Sequence, residues 1–204
     1  MAEEIEILIL DDHAIIRKGI RLTIETSFGI KSIAEVSTCN GLLAYVKDHV
    51  VTHMVLDLLV SDGNTMEIIP VIRKLYPDIR ILVFTMQPTA IYSFALKQYG
   101  IWEYLHKEAS EETTIAVLEH FFFGSSEPVK EYEKDVLNPF SRLSARELEV
   151  LHYLLKGTGT KEIAVKLGLH MSSVSTFKGR IFEKTSTSNL KELIDIALAF
   201  NITT

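Results

Sequence analysis

The chain has 204 residues, 47% of them hydrophobic and 24% charged, with a net charge of −6. That is ordinary globular composition, enough for one large domain or two smaller ones, and it excludes a disordered or fibrous chain. No apolar run approaches bilayer-spanning length, the opening "MAEEIEILIL" is acidic where a secretory leader would be basic, and a lone cysteine, Cys39, excludes an intrachain disulfide. Together these features predict a cytoplasmic protein without membrane contact. The charge is unevenly spread: residues 1–140 carry 12 Lys/Arg against 21 Asp/Glu, and residues 141–204 carry 9 against 6. An acidic block followed by a mildly basic one hints at a nucleic-acid-binding tail.

The first predicted element is a strand in "IEILIL" (Ile5–Leu10), a run rich in β-branched residues. Residues 14–26 then place Ile15, Ile16, Ile20, Leu22 and Ile24 at helical spacing. Four more strand candidates follow: "KSIAEV", "HMVLDL", "RILVFT" and "WEYLH". Helical patterns separate and follow them: "NGLLAYVKDH", "TMEIIPVIRKLY", "PTAIYSFALKQYG" and "SEETTIAVLEHFF". Ser110, ahead of Glu111 and Glu112, is the expected N-cap of the last. Five such β–α units predict a doubly wound parallel sheet with helices on both faces. Residues 124–141, "GSSEPVKEYEKDVLNPFS", are polar and interrupted by two prolines, which reads as a linker with room for a short helix. Beyond it, "SARELEVLHYLLKG", "TKEIAVKLG", "SSVSTFKGRIFEKT" and "NLKELIDIALAF" predict a small all-α domain of four helices.

Ligands of parallel α/β sheets bind at the C-terminal strand ends. There the sequence places Asp11-Asp12-His13 after strand one, Asp57 after strand three, Thr85 at the end of strand four and His106-Lys107 after strand five. Asp57 sits in the apolar run "HMVLDLLV", where an unpaired carboxylate would cost several kcal/mol, on the order of the penalty for any buried ion. Crowded acids raise one another's pKa unless a cation joins them, and hard oxygen ligands suit Mg²⁺. The expected arrangement is Asp57 kept ionised by a metal and by Lys107, ready to act as a nucleophile.

In order along the chain, "ILILDDHAIIRKGI", "MVLDLLVSDG", "VFT" and "YLHK" resemble the receiver domain of bacterial two-component response regulators. The resemblance implies that Asp57 is the phosphoacceptor and that Mg²⁺ is held by Asp12 directly, by Asp11 through water, by Asp57 and by the Leu59 carbonyl. It further implies that Thr85 bonds the incoming phosphoryl oxygen, that Lys107 pairs with it, and that Tyr104 is the aromatic that turns inward on activation. This chain departs from the family's pattern in carrying Ser61 where a proline is common, Thr65 where a glycine is usual, and Trp102-Glu103 before the aromatic.

The tail, from Leu143 through "KEIA" at Lys161–Ala164 to "VST" at Val174–Thr176 and Ile181, resembles the helix-turn-helix of the LuxR/NarL/FixJ class. Its second helix would offer Ser172, Ser173, Ser175, Thr176, Lys178 and Arg180 to a major groove. Lys161, Lys178, Arg180 and Lys184 are the candidate phosphate contacts, with Ser172, Ser175 and Thr176 nearer the bases. Lysine is common in that class where Ser172 and Ser175 stand, so fewer counterions are released and nonspecific affinity should be weak.

The sequence therefore predicts a five-stranded flavodoxin-like receiver at residues 1–123, a linker at 124–140 and a LuxR-type helix-turn-helix domain at 141–204. The function expected is a phosphorylation-controlled transcriptional regulator, not an enzyme, partnered by a sensor histidine kinase and double-stranded promoter DNA and dimerising on activation. Two rivals stand beside it. An aspartyl-phosphate phosphohydrolase would need a second acid two residues after the nucleophile, where this chain has Leu59. A receiver-type interaction module with weak or lost DNA binding would act independently of phosphorylation.

Overall fold

The structure, a computed structural model, describes residues 5–87, 89–124, 138–200 and 202. In chain order the first part runs β1 (Ile7–Leu10), α1 (Ala14–Phe28), β2 (Ile33–Val36), α2 (Cys39–Asp48) and β3 (His53–Leu56). A two-stranded hairpin, β4 (Leu59–Val60) and β5 (Gly63–Asn64), and a short 3₁₀ turn at Thr65–Glu67 then precede α3 (Ile69–Leu75). The remainder is β6 (Arg80–Thr85), α4 (Thr89–Lys97), β7 (Glu103–His106) and α5 (Glu111–Phe123). Beyond residue 138 come a 3₁₀ turn at Pro139–Arg142 and four helices, α6 (Ala145–Leu155), α7 (Thr160–Leu167), α8 (Met171–Thr185) and α9 (Leu190–Ala199).

The larger strands form one sheet of order β2-β1-β3-β6-β7, with every pairing parallel. This is the doubly wound topology expected from alternating β–α units. Strands buried on both faces are near-continuously apolar, which explains runs such as "ILIL" in β1 and "HMVL" in β3, all eight residues of which are buried, His53 included. One face packs Ile7, Ile9, Val55, Leu82, Phe84 and Leu105 against Ile20 and Ile24 of α1 and Leu118, Phe121 and Phe122 of α5. The helix ends follow local chemistry. Ser110 caps α5 by accepting the Thr113 N–H, as its position before two glutamates predicts, and α1 stops at Gly29, whose φ of 69° suits glycine.

The chain divides into two compact units. Among the described residues, the first holds those up to Gln87 and from Tyr99 to Gly124, and the second holds Thr89–Gln98 and those from Asn138 on. Helix α4 thus groups with the second unit, although the sequence places it among the β–α repeats. The second unit is centred on Phe140, Leu148, Leu151, Ile163, Val174, Ile181 and Leu193, all at most about 0% exposed. Most of the expected linker, residues 125–137, lies outside the described residues. No described helix is long and apolar enough to cross a membrane.

Candidate functional site

Strand register assembles the first site. Leu10 pairs with Leu56 and Leu56 with Val83, so the residues that follow, Asp11 and Asp57, emerge together at one edge of the sheet. The Asp57 N–H donates to the Leu10 carbonyl at 2.9 Å, fixing the two acidic segments to each other. On the other side Thr85 pairs with His106, and the Lys107 N–H donates to the Thr85 carbonyl at 3.0 Å.

The side chains converge as the sequence predicts. Thr85 Oγ1 donates to Asp57 Oδ1 at 2.9 Å while accepting the Gln87 N–H at 3.2 Å, so its proton is directed at the carboxylate. The Lys107 ammonium lies 2.5 Å from Asp57 Oδ2 and 2.6 Å from Asp11 Oδ2, buried with both. Burial is the largest influence on the Asp57 carboxyl and pushes it above the ordinary carboxylate range; Lys107 and Thr85 pull it down, and the Asp11 charge adds to the rise. The lysine alone therefore does not offset the loss of hydration, which refines the expectation that Lys107 helps keep Asp57 ionised.

Ligand atoms of Asp11, Asp12, His13 and Asp57 lie within 4.8 Å of one another. Asp11 Oδ2 and Asp12 Oδ1 are buried and accept no well-directed hydrogen bond; the Lys107 ammonium lies 2.6 Å from the first and His13 Nδ1 2.8 Å from the second. Three carboxylates against one buried ammonium leave two negative charges, and a hard divalent cation fits that charge and those oxygens. Leu59, the fourth expected metal-site residue, starts the β4–β5 hairpin directly after Asp57 and Leu58. Tyr104 is half-buried in β7, its hydroxyl donating to the Ile101 carbonyl at 2.5 Å.

Three residues of this region make contacts to which the sequence assigned no role. His13, at the N-cap position of α1, places Nδ1 2.8 Å from Asp12 Oδ1. His106 Nε2 lies 3.2 Å from the Met86 carbonyl while Nδ1 accepts the Glu108 N–H at 3.3 Å; this pattern assigns the proton to Nε2 and ties β7 to the loop after Thr85. Thr65, which the sequence shows only as a missing glycine, is wholly buried and donates its hydroxyl to the Asp57 carbonyl at 2.8 Å.

The second candidate site is α8. Its inward positions Val174, Ile181 and Thr185 are buried, and Ser172, Ser175, Thr176 and Arg180 are exposed on the other side. Helix α7, carrying the exposed Lys161, ends at Gly168 with φ 62°, which turns the chain tightly into α8. The Thr176 hydroxyl donates to the Ser172 carbonyl at 3.0 Å, and Lys178 lies half-buried with Nζ 5.6 Å from the centre of the Phe182 ring. Lys184 differs from the other cations. Its ammonium bonds Glu147 Oε2 at 2.6 Å, and Glu147 is 2% exposed and also accepts the Ser144 N–H in the capping box that starts α6. Burial raises the Glu147 carboxyl, but Lys184 and Ser144 outweigh it and hold it below the usual range. Lys184 thus holds α8 to α6, a task its place in the sequence did not disclose.

Comparison with known proteins matches both parts of the chain to known domain families. Residues 7–119 match the response regulator receiver domain, and residues 141–197 match the bacterial regulatory proteins of the luxR family. The oxygen regulatory protein NreC of Staphylococcus epidermidis is 29% identical over 95% of this chain and 96% of its own. BvgA of Bordetella pertussis, named as a virulence-factor transcription regulator, is 30% identical over 97% of this chain and 98% of its own. Among solved structures, the RcsB response regulator of Salmonella typhimurium superposes with a TM-score of 0.63, at 24% identity over 98% of this chain and 99% of that one, and shares the fold. The chain therefore belongs to the DNA-binding transcriptional response regulators of two-component systems, with a receiver domain followed by a LuxR-type helix-turn-helix domain.

Proposed function

We propose that phosphoryl transfer to Asp57 controls the affinity of α8 for promoter DNA, with residues 1–123 acting as receiver, 124–140 as linker and 141–204 as effector. The observation that carries this reading is the pair of contacts on one buried carboxylate: Thr85 on Oδ1 and Lys107 on Oδ2. An Asp57 oxygen attacks phosphorus in line, forming the O–P bond as the donor's P–N or P–O bond breaks and its electron pair leaves with the donor group. A sensor histidine kinase is the fitting physiological donor for such a site. As the acyl phosphate forms, Thr85 and Lys107 transfer their protons' hydrogen bonds from the carboxylate to phosphoryl oxygens. Tyr104, which pairs with Val83 two residues before Thr85, would then turn inward and give up its bond to the Ile101 carbonyl.

The residues present fit Mg²⁺: Asp11, Asp12, Asp57 and the Leu59 carbonyl would hold it. Bound there, the ion would neutralise charge developing on the transferred phosphoryl group. Leu59 supplies no acid two residues after Asp57, so proton donation for rapid turnover of a phosphate ester has no source at that position. On the DNA side, the exposed Ser172, Ser175 and Thr176 face outward with Arg180, which supports base contacts from neutral groups and phosphate contacts from Lys161, Lys178, Arg180 and the partly exposed Lys184. Phosphorylation shifts the population towards a homodimer that reads paired half-sites.

The test is a DNA fragment enriched from random sequence and titrated by fluorescence anisotropy. Beryllofluoride with Mg²⁺ raises the affinity of the natural protein and leaves Asp57→Asn unchanged. Equal affinity with and without beryllofluoride in the natural protein overturns phosphorylation control, and failure to enrich any sequence would instead favour an interaction module.

A further inference from the structure

We infer that Thr65 is a positioning residue for phosphoryl transfer: its buried hydroxyl holds the Asp57–Leu59 segment in the orientation that both the nucleophilic carboxylate and the metal-binding carbonyl require. The inference rests on the phosphoacceptor reading of Asp57 and goes beyond it, because the family commonly has a glycine at this place, which has no side chain to offer.

Thr65 stands eight residues beyond Asp57, at the far end of the β4–β5 hairpin, yet it folds back onto the start of that hairpin. Two of its groups bond two successive carbonyls. The N–H donates to Leu58 O at 2.8 Å, and Oγ1 donates to Asp57 O, also at 2.8 Å. The first bond is open to any residue except proline, whereas the second needs a hydroxyl. Together they fix the planes of the two peptide groups that join Asp57 to Leu58 and Leu58 to Leu59. Those planes set where the Asp57 side chain leaves the backbone and how the following residue is presented.

The surroundings make the hydroxyl specific. Thr65 is 0% exposed and Asp57 6%, so bulk water is not at hand to replace the bond. The next turn is closed independently, since Asn64 Oδ1 accepts the Met66 N–H at 3.0 Å. Removing the Thr65 hydroxyl therefore frees the Asp57 carbonyl without unfastening the hairpin or the 3₁₀ turn. A β-branched residue also restricts χ1, so valine preserves the packing and the stiffness of the side chain while deleting only the donor. Serine restores the donor and loses only a methyl group.

The experiment compares the natural protein with Thr65→Val, Thr65→Ser and Asp57→Asn. Phosphorylation by acetyl phosphate is followed by intact mass against Mg²⁺ concentration, giving a maximal rate and a half-saturating metal concentration. Mn²⁺ affinity is measured separately by electron paramagnetic resonance, without any phosphodonor. Losing one net hydrogen bond at the reacting segment is worth about a fivefold effect, so Thr65→Val should lower the maximal rate about fivefold and weaken Mn²⁺ binding severalfold. Thr65→Ser should return both to within about twofold of the natural protein, an allowance for the lost methyl group. A Thr65→Val protein that melts at lower temperature but phosphorylates and binds Mn²⁺ like the natural one would show a purely structural role and overturn the inference. If Thr65→Val does not fold, Thr65→Ala against Thr65→Ser carries the same comparison. If the natural protein and Asp57→Asn are equally unmodified, the phosphoacceptor reading has failed rather than the role of Thr65.

Discussion

The acidic edge of the sheet and the outer face of α8 use polar groups in opposite ways. At the sheet edge Asp11, Asp57, Thr85 and Lys107 are all buried, and each charge is set against another at less than 3 Å. On α8, Ser172, Ser175, Thr176 and Arg180 are exposed and face solvent. Buried charges are strongly coupled, so removing one member changes the state of all the others. Exposed donors are nearly independent, so each contributes its own small share to a partner it has yet to meet. The first arrangement suits a chemical switch, and the second suits an adjustable contact with a charged polymer.

The largest effect expected from breaking this contrast is at Asp57. Asp57→Asn should abolish phosphorylation by acetyl phosphate while leaving the melting temperature in metal-free buffer unchanged or higher. The amide escapes the cost of burying a charge that Lys107 only partly compensates, a gain on the order of 1 kcal/mol. Calorimetry and intact mass on the same preparation check both halves of this expectation.

Next in size is the ion pair inside the helical unit. Lys184→Met leaves Glu147 buried without its ammonium and should cost about 2 kcal/mol, less than for a fully buried pair because Lys184 is partly exposed. Glu147→Gln keeps a side chain able to complete the capping box and should cost no more than about 1 kcal/mol. Urea denaturation of the two variants measures the difference. The sign for Glu147 follows from its lowered pKa: its contribution is present at neutral pH and is lost as pH falls through the folded-state value, below the ordinary glutamate range.

A smaller effect belongs to the exposed face. Arg180→Ala should weaken binding to enriched and random DNA alike by a few-fold and reduce the slope of log affinity against log salt by about 1. Substituting Ser175 by alanine should instead change which sequences are preferred. Equal loss on all sequences from both variants would remove the distinction between phosphate and base contacts.

Two buried histidines provide a further test, confined to acid pH. His53, packed against Phe121 and Phe122, and His152 in α6 are each held down to about 4, chiefly by burial, with Arg80 and Lys156 respectively adding to the effect. Because the folded state resists protonation, stability should begin to fall as pH drops below the unfolded value near 6.5 and go on falling towards 4. His53→Phe and His152→Phe should each flatten part of that decline, on the order of 2 kcal/mol.

How much of this was visible in the sequence depends on whether the signal was local or needed a partner. The five strands were legible because both faces of a parallel sheet demand unbroken apolar runs, and "ILIL", "HMVL" and "ILVF" have no polar residue at an inward position apart from His53. Asp57, Thr85 and Lys107 were legible because strand ends in this topology share one edge. The β4–β5 hairpin was not, since two-residue strands have no periodicity to detect. Thr65 looked like the loss of a glycine because its value lies in a carbonyl eight residues back. The bond from Lys184 to Glu147 was not legible because the two are 37 residues apart, although the first half of that arrangement, the capping box "SARE" at Ser144–Glu147, was a local signal open to reading. The grouping of α4 with the C-terminal helices has no counterpart in its own apolar spacing.

The central claim is that Asp57 is the group that accepts phosphorus. It is tested most directly by incubating the natural protein and Asp57→Asn with acetyl phosphate and Mg²⁺ and locating the modification by peptide mass spectrometry after borohydride reduction. The account predicts a single reducible acyl phosphate at Asp57 in the natural protein and none in the variant. Modification of both proteins to the same extent, or of neither, would contradict it.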